Sequence, residues 1–246
     1  ETRRASWEDS MLHVQNMVLD NCLSTIKHET IYYPNKIKQI IGRLNTQNLS
    51  EKEEREAVET ITELIEYYKG IFTILSSCAA RQLEEVTFRR TTIPVQELFD
   101  AAGKYFRKVM KNRMEKIELI MEPMEAKVIG DVNQLRFLFE NLIDEALAVH
   151  EEGVIRLQAR KDNEYVRFLF TDTRREKSVT ELNQLFYPNL ARMTSGEKGE
   201  LRGTEYLICK QIIRDHDEFA GRRGCRINAE PAEGGGFTVY FTIPRR

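Results

Sequence analysis

The chain has 246 residues, 41% of them hydrophobic and 31% charged, with 37 basic side chains nearly balancing 39 acidic ones for a net charge of −2. That balance argues against a nucleic-acid groove, whose mark is a basic surface of one sign. No apolar run approaches the roughly 20 residues needed to cross a bilayer.

The length suits one large domain or two ordinary ones. With neither an initiator Met nor a signal peptide, the chain reads as a fragment or processed product, and any membrane segment is expected outside it. The four cysteines, Cys22, Cys78, Cys209 and Cys225, form no C-x-x-C pair, and no histidine stands at zinc-ligand spacing from them. Buried, reduced thiols are expected, which favours the cytoplasm.

Residues 7 to 47 carry one long helical pattern in which Leu12, Leu19, Ile26, Tyr33 and Ile40 recur every seven residues. Leu23, Ile37 and Leu44 lie beside them, as in helices that pack against helices. The stretch LNTQNLS breaks the pattern, and Ser50 with Glu53 forms a capping box for a second helix reaching about Leu83. Such a hairpin leaves its heptad face wet, so it is expected to dimerise into a four-helix bundle.

The composition then changes. FRRTTIP reads as a short extended segment, and Pro94 suits the start of a helix to about residue 114. KIELIM and AKVIG read as strands, and Asp131 with Gln134 caps a helix presenting Leu135, Phe139, Leu142, Ile143 and Ala146. VIRLQAR alternates apolar and polar residues, and YVRFLFTD, CRINAE and FTVYFTI also read as strands, with a further helix near 204 to 215. GGG at 234 to 236 reads as a hairpin turn. The fold class is therefore α+β, a helical hairpin over 1–86 followed over 87–246 by a mixed sheet with helices on one face.

This order of parts resembles the core of sensor histidine kinases. The likeness runs from about Leu12 to Pro244 and is clearest in GTEYLICKQIIRDH, INAEP and GGGFTVYFTIP. It implies that His28 is the phosphoacceptor and Glu29 the neighbouring base that keeps the attacking nitrogen nucleophilic. His28 also falls two positions off the heptad seam, where it would face solvent. Pro34, which would let the helix bend, follows His28 by six residues where the family's commonest spacing is five. Tyr32 stands where many members have a Thr or Asn that serves phosphatase action.

The resemblance also implies ATP and Mg2+ as cofactors, with Asn141, Glu145, Asp172 and Gly203 in the nucleotide site and Asn141 and Glu145 on the metal. Here the chain departs from the family. Glu145 replaces the metal-binding Asn and adds a negative charge beside a triphosphate. Arg174 and Glu176 replace the glycines after Asp172 that let backbone approach the adenine. Gly196, Gly199 and Gly203 remain in the phosphate loop, but Glu205 replaces its next glycine.

The implied function is the cytoplasmic transmitter region of a two-component sensor, the soluble part of an inner-membrane protein. It would phosphorylate His28 with ATP and pass the phosphoryl group to an Asp on a response regulator receiver domain. The alternative is a pseudokinase, a dimeric scaffold that binds a receiver domain without using ATP. The expected partners are a second copy and that receiver domain, with no nucleic acid, and with membrane contact only through a segment outside this chain.

Overall fold

A 45-residue helix, α1 (Thr2–Thr46), opens the chain and continues without interruption through Pro34. In this computed structural model, residues 2–46, 49–79, 88–111, 113–187, 194–195 and 201–246 are described. They divide into two compact units. One comprises Glu1–Gln15, Glu84–Tyr187 and Glu205–Arg246, and the other Asn16–Leu83 with Pro188–Thr204. The first turns of α1 thus group with the α/β part, and the expected boundary at residue 86 lies outside the described residues.

In the helical unit, α2 (Glu51–Ala79) begins at the capping box read from the sequence. The Ser50 amide and hydroxyl donate to Glu53 Oε2 at 2.8 and 2.6 Å, and the Glu53 amide returns a bond to Ser50 Oγ at 3.4 Å. Glu51, Glu53 and Glu54 in the first turn complement the helix dipole.

Along α1 the buried positions include Ser6, Ser10, Val14, Val18 and Cys22, one every four residues. Leu12, expected on the buried seam, is 47% exposed in the single chain. A step of two residues turns a helix by more than half a circle, so Leu12 points away from its covered neighbours Ser10 and Val14. On the hairpin Leu64 is buried, whereas Ile41, Val58 and Ile65 remain exposed.

The α/β unit is built on a five-stranded mixed sheet. Its strands are β2 (Ile117–Glu122), β4 (Gly153–Asp162), β5 (Tyr165–Asp172), β8 (Ile227–Pro231) and β9 (Phe237–Pro244), in the order β2-β4-β5-β9-β8. Only β2 and β4 run parallel; the other pairs are antiparallel. A small sheet beside it pairs β1 (Thr91–Pro94) with β3 (Lys127–Gly130).

Alternation supplies the core. Ile155, Leu157 and Ala159 of β4 and Val166, Phe168 and Phe170 of β5 are buried, while Arg156 and Arg160 are exposed. They are joined by the apolar stripes of α3 (Val95–Met110), α4 (Val132–Leu147) and α6 (Glu205–Phe219). Phe168 and Phe241 stack with centroids 5.0 Å apart, and Phe139 meets both rings. This cluster fixes α4 against β5 and β9.

Three elements were not read from the sequence. A helix of six residues, α5 (Val179–Gln184), starts at its own capping box, Ser178 with Glu181. Two strands of two residues, β6 (Thr194–Ser195) and β7 (Leu201–Arg202), pair in the helical unit. Among the described residues no helix is long and apolar enough to cross a membrane.

Candidate nucleotide site

α4 supplies one wall of the site. Its start is fixed by Asp131, which accepts the amides of Asn133 and Gln134 at 2.9 and 3.2 Å and that of Arg89 at 2.8 Å. Asn141 and Glu145 follow one turn apart, as their spacing requires. Asn141 is buried, and its Nδ2 donates to the Phe137 carbonyl at 2.7 Å. Its amide is thus turned back on its own helix.

Asp172 closes the inward row of β5, paired with Ile155 and Phe237 in the neighbouring strands. The next residue, Thr173, donates both its amide and its hydroxyl to the Val154 carbonyl, at 3.2 and 2.8 Å. That pins the chain to β4 and turns Arg174 back toward the strand end.

The Arg174 guanidinium meets the Asp172 carboxylate with two bonds, Nε to Oδ1 at 2.8 Å and Nη2 to Oδ2 at 3.0 Å. Both side chains are only 1% exposed. The guanidinium also donates to the carbonyls of Ala146 and Glu151, at 2.6 and 3.0 Å. Its stem lies so close to Gly153 that a Cβ there would stand 2.7 Å from Arg174 Cγ. The glycine position was expected to fill the site with a bulky side chain, and Arg174 does so, using the carboxylate that the resemblance assigns to adenine.

Arg175, which the sequence reading passed over, adds a second cation. Its Nε donates to Asp172 Oδ2 at 3.0 Å, and its Nη1 lies 3.7 Å from Glu145 Oε1. The guanidinium also lies over the Phe237 ring, 5.7 Å from the centroid. The charge that Glu145 brings is therefore met from inside the chain, by Arg175 and not by Arg174. The signal was present as two adjacent arginines after a strand-ending aspartate, but nothing in the spacing says which carboxylate each would take.

Burial, and then the nearby Glu145 carboxylate, push the Tyr206 hydroxyl well above its usual range. Glu205 opens α6 as expected. The GGG turn joins β8 to β9, with the Ala232 amide donating to the Gly236 carbonyl at 3.1 Å. Gly236 has φ 81°, and a Cβ on it would stand 2.1 Å from the Asp172 carbonyl oxygen. Only glycine fits there.

These residues fit the implied cofactors poorly. Asp172 already accepts both arginines where an adenine amino group would bind. Asn141 and Glu145 offer Mg2+ one amide oxygen and one carboxylate, with a guanidinium alongside. Among the described residues no group of three or more His, Cys, Asp or Glu could hold a metal. Gly203, with φ 80°, belongs to the helical unit. Gly196 and Gly199 lie outside the described residues. His28 and Glu29 sit in the unbroken part of α1, but their side chains are likewise outside the described ones.

The comparisons agree with this architecture. Residues 130–246 match the family model described as histidine kinase-, DNA gyrase B-, and HSP90-like ATPase. The catalytic domain of the histidine kinase ThkA is similar, with 20% identity and a TM-score of 0.50, over 64% of this chain and 97% of that one. ThkA in complex with the response regulator protein TrrA aligns over 97% of this chain and 65% of that one, with 18% identity and a TM-score of 0.53. The mycobacterial sensor histidine kinase MprB aligns over 64% of this chain and 99% of that one, at 18% identity and a TM-score of 0.49. No curated protein matches. The fold is that of the histidine kinase ATPase-type domain, preceded by long helices, and the resemblance to sensor histidine kinases stands.

Proposed function

We propose that the chain is the transmitter region of a two-component sensor of the histidine kinase type and that it works as a dimeric scaffold for a response regulator receiver domain. In this reading Arg174 and Arg175 have taken over the adenine site, and the chain does not phosphorylate itself with ATP. His28 stays a candidate acceptor for a phosphoryl group delivered by a partner. The observation that carries the reading is the Asp172 carboxylate, buried and already bonded by both guanidinia.

Breaking a buried pair of this kind costs about 3–5 kcal/mol. A nucleotide that has to displace Arg174 loses that much of its binding energy, about two to nearly four orders of magnitude in affinity. The ThkA–TrrA complex supports the choice of partner, because a histidine kinase of similar fold is found there in complex with a response regulator protein.

The second reading is an active kinase, with Glu29 as base and Asn141 and Glu145 on Mg2+. One observation favours it: Arg175 bridges Asp172 and Glu145 and is 14% exposed, so it is placed to swing onto a phosphate. Titration calorimetry with ATP and Mg2+ separates the two. Scaffold function predicts no saturable heat at millimolar ATP. Micromolar affinity, with acid-labile label from radioactive ATP that His28→Gln abolishes, would establish the kinase instead.

A further inference from the structure

A cavity of about 570 Å³ lies at the opposite end of α4 from the nucleotide site. Fourteen residues of one helix separate Asp131 from Glu145, about 21 Å along the axis. The cavity lies wholly within the α/β unit, where the first turns of α1 contribute Ser6 and Trp7 to its lining. Its volume falls in the range of small-molecule sites, about 300–1,000 Å³.

The lining carries two guanidinium groups, Arg89 and Arg136, and two carboxylates, Glu97 and Asp131. Arg89 Nη1 and Asn133 Nδ2 both donate to the same Ser6 hydroxyl, at 2.5 and 3.2 Å. Arg136 gives Nη2 to Glu97 Oε1 at 2.6 Å, while its Nε is buried with no hydrogen-bond partner. That Nε has no accessible surface, so a ligand in the cavity would be met by the outer nitrogens of Arg136.

The Asp131 carboxylate in the lining is committed to three backbone amides, which leaves Arg89 bonded to a neutral hydroxyl. For the same reason the Asn133 and Gln134 amides in the first turn of α4 are already satisfied and are not what would attract a ligand. Trp7 supplies a flat apolar wall, held edge-on to Phe137 with centroids 6.0 Å apart.

We propose that this cavity binds a small planar carboxylate, its anionic group between Arg89 and Arg136 and its flat body along Trp7. A carboxylate offers about four lone-pair sites and a geometry matched to a guanidinium fork. An aromatic or similarly flat body adds contact with the indole. The inference is independent of whether the chain uses ATP.

Trp7 is the only tryptophan in the chain, so its fluorescence reports on this cavity alone. The probes are benzoate, inorganic phosphate and benzyl alcohol, titrated against the whole chain. Benzoate should give a saturable change, with phosphate and benzyl alcohol at least tenfold weaker. Arg136→Gln should weaken benzoate at least tenfold while leaving the circular dichroism unchanged. Asn133→Ala serves as a second variant, with a smaller loss, should Arg136→Gln misfold. No saturable change with benzoate, phosphate binding as tightly as benzoate, or wild-type affinity in a folded variant would each overturn the assignment.

Discussion

Replacing Arg174 with alanine is expected to destabilise the α/β unit and at the same time open it to adenine. The guanidinium and Asp172 are each 1% exposed, so screening by water does not shrink their interaction. Removing one partner of a buried pair costs about 3–5 kcal/mol. Asp172 would keep the Arg175 Nε bond at 3.0 Å and the residue-174 amide at 3.1 Å, which places the loss near the lower end, about 3 kcal/mol. For a chain of this size that lowers the melting temperature by about 6–12 °C.

The vacated space lies between Asp172, Gly153 and the carbonyls of Ala146 and Glu151, so an adenine amino group could reach the carboxylate. At a hundred times its dissociation constant, ADP would return about 2.7 kcal/mol. Thermal melts of both proteins with and without ADP are the assay. The variant should melt lower and be raised by ADP, while the wild type is not. A variant that melts like the wild type, or a wild type raised by ADP as much as the variant, refutes the argument.

Two further outcomes are expected. Ile65 is 43% exposed in the single chain, so Ile65→Glu should leave helix content unchanged yet turn a dimer into a monomer by light scattering; a persisting dimer would move the interface elsewhere. Burial, and then Asp144 beside it, push the Glu140 carboxyl up to about 7, above its unfolded value. The cost of ionising it is then fully present above pH 7 and relieved as pH falls toward the unfolded value. Glu140→Gln should accordingly add about 1–2 kcal/mol at pH 8 and almost nothing at pH 5, and an equal gain at both would show that ionisation is not the cause.

Much of the fold was legible because it rests on local signals. Alternation marked β4, and the side chains of Asp131 and Ser50 marked the starts of α4 and α2 through bonds to amides at most three residues away. α5 was missed although its capping box, Ser178 with Glu181, has the same form; a helix of six residues is too short to show a periodic stripe. The heptads of α1 were legible as a repeat, but Leu12 shows that a repeat does not say whether its own chain covers it.

At the nucleotide site, the bulk at position 174 could be read as an obstacle, since a residue larger than glycine takes up room. That its charge would seek Asp172 while Arg175 would seek Glu145 could not. That division depends on where Thr173 is tied to β4, a contact across 19 residues. The cavity beside Trp7 left no mark at all, because its lining comes from four separate stretches of the chain.

The turn at Gly236 has a bearing on how the chain can vary. Hairpin tips are ordinarily where a protein tolerates insertions and drift in sequence. This tip is pressed against the backbone of Asp172, where even one added carbon would collide. Lengthening the β8–β9 connection or decorating it would thus reach the strand end that carries Asp172. Among natural variants of this chain the tip should keep its length and its last glycine as strictly as core positions keep their volume, while Gly234, with open space around it, is free to change wherever the backbone strain can be met.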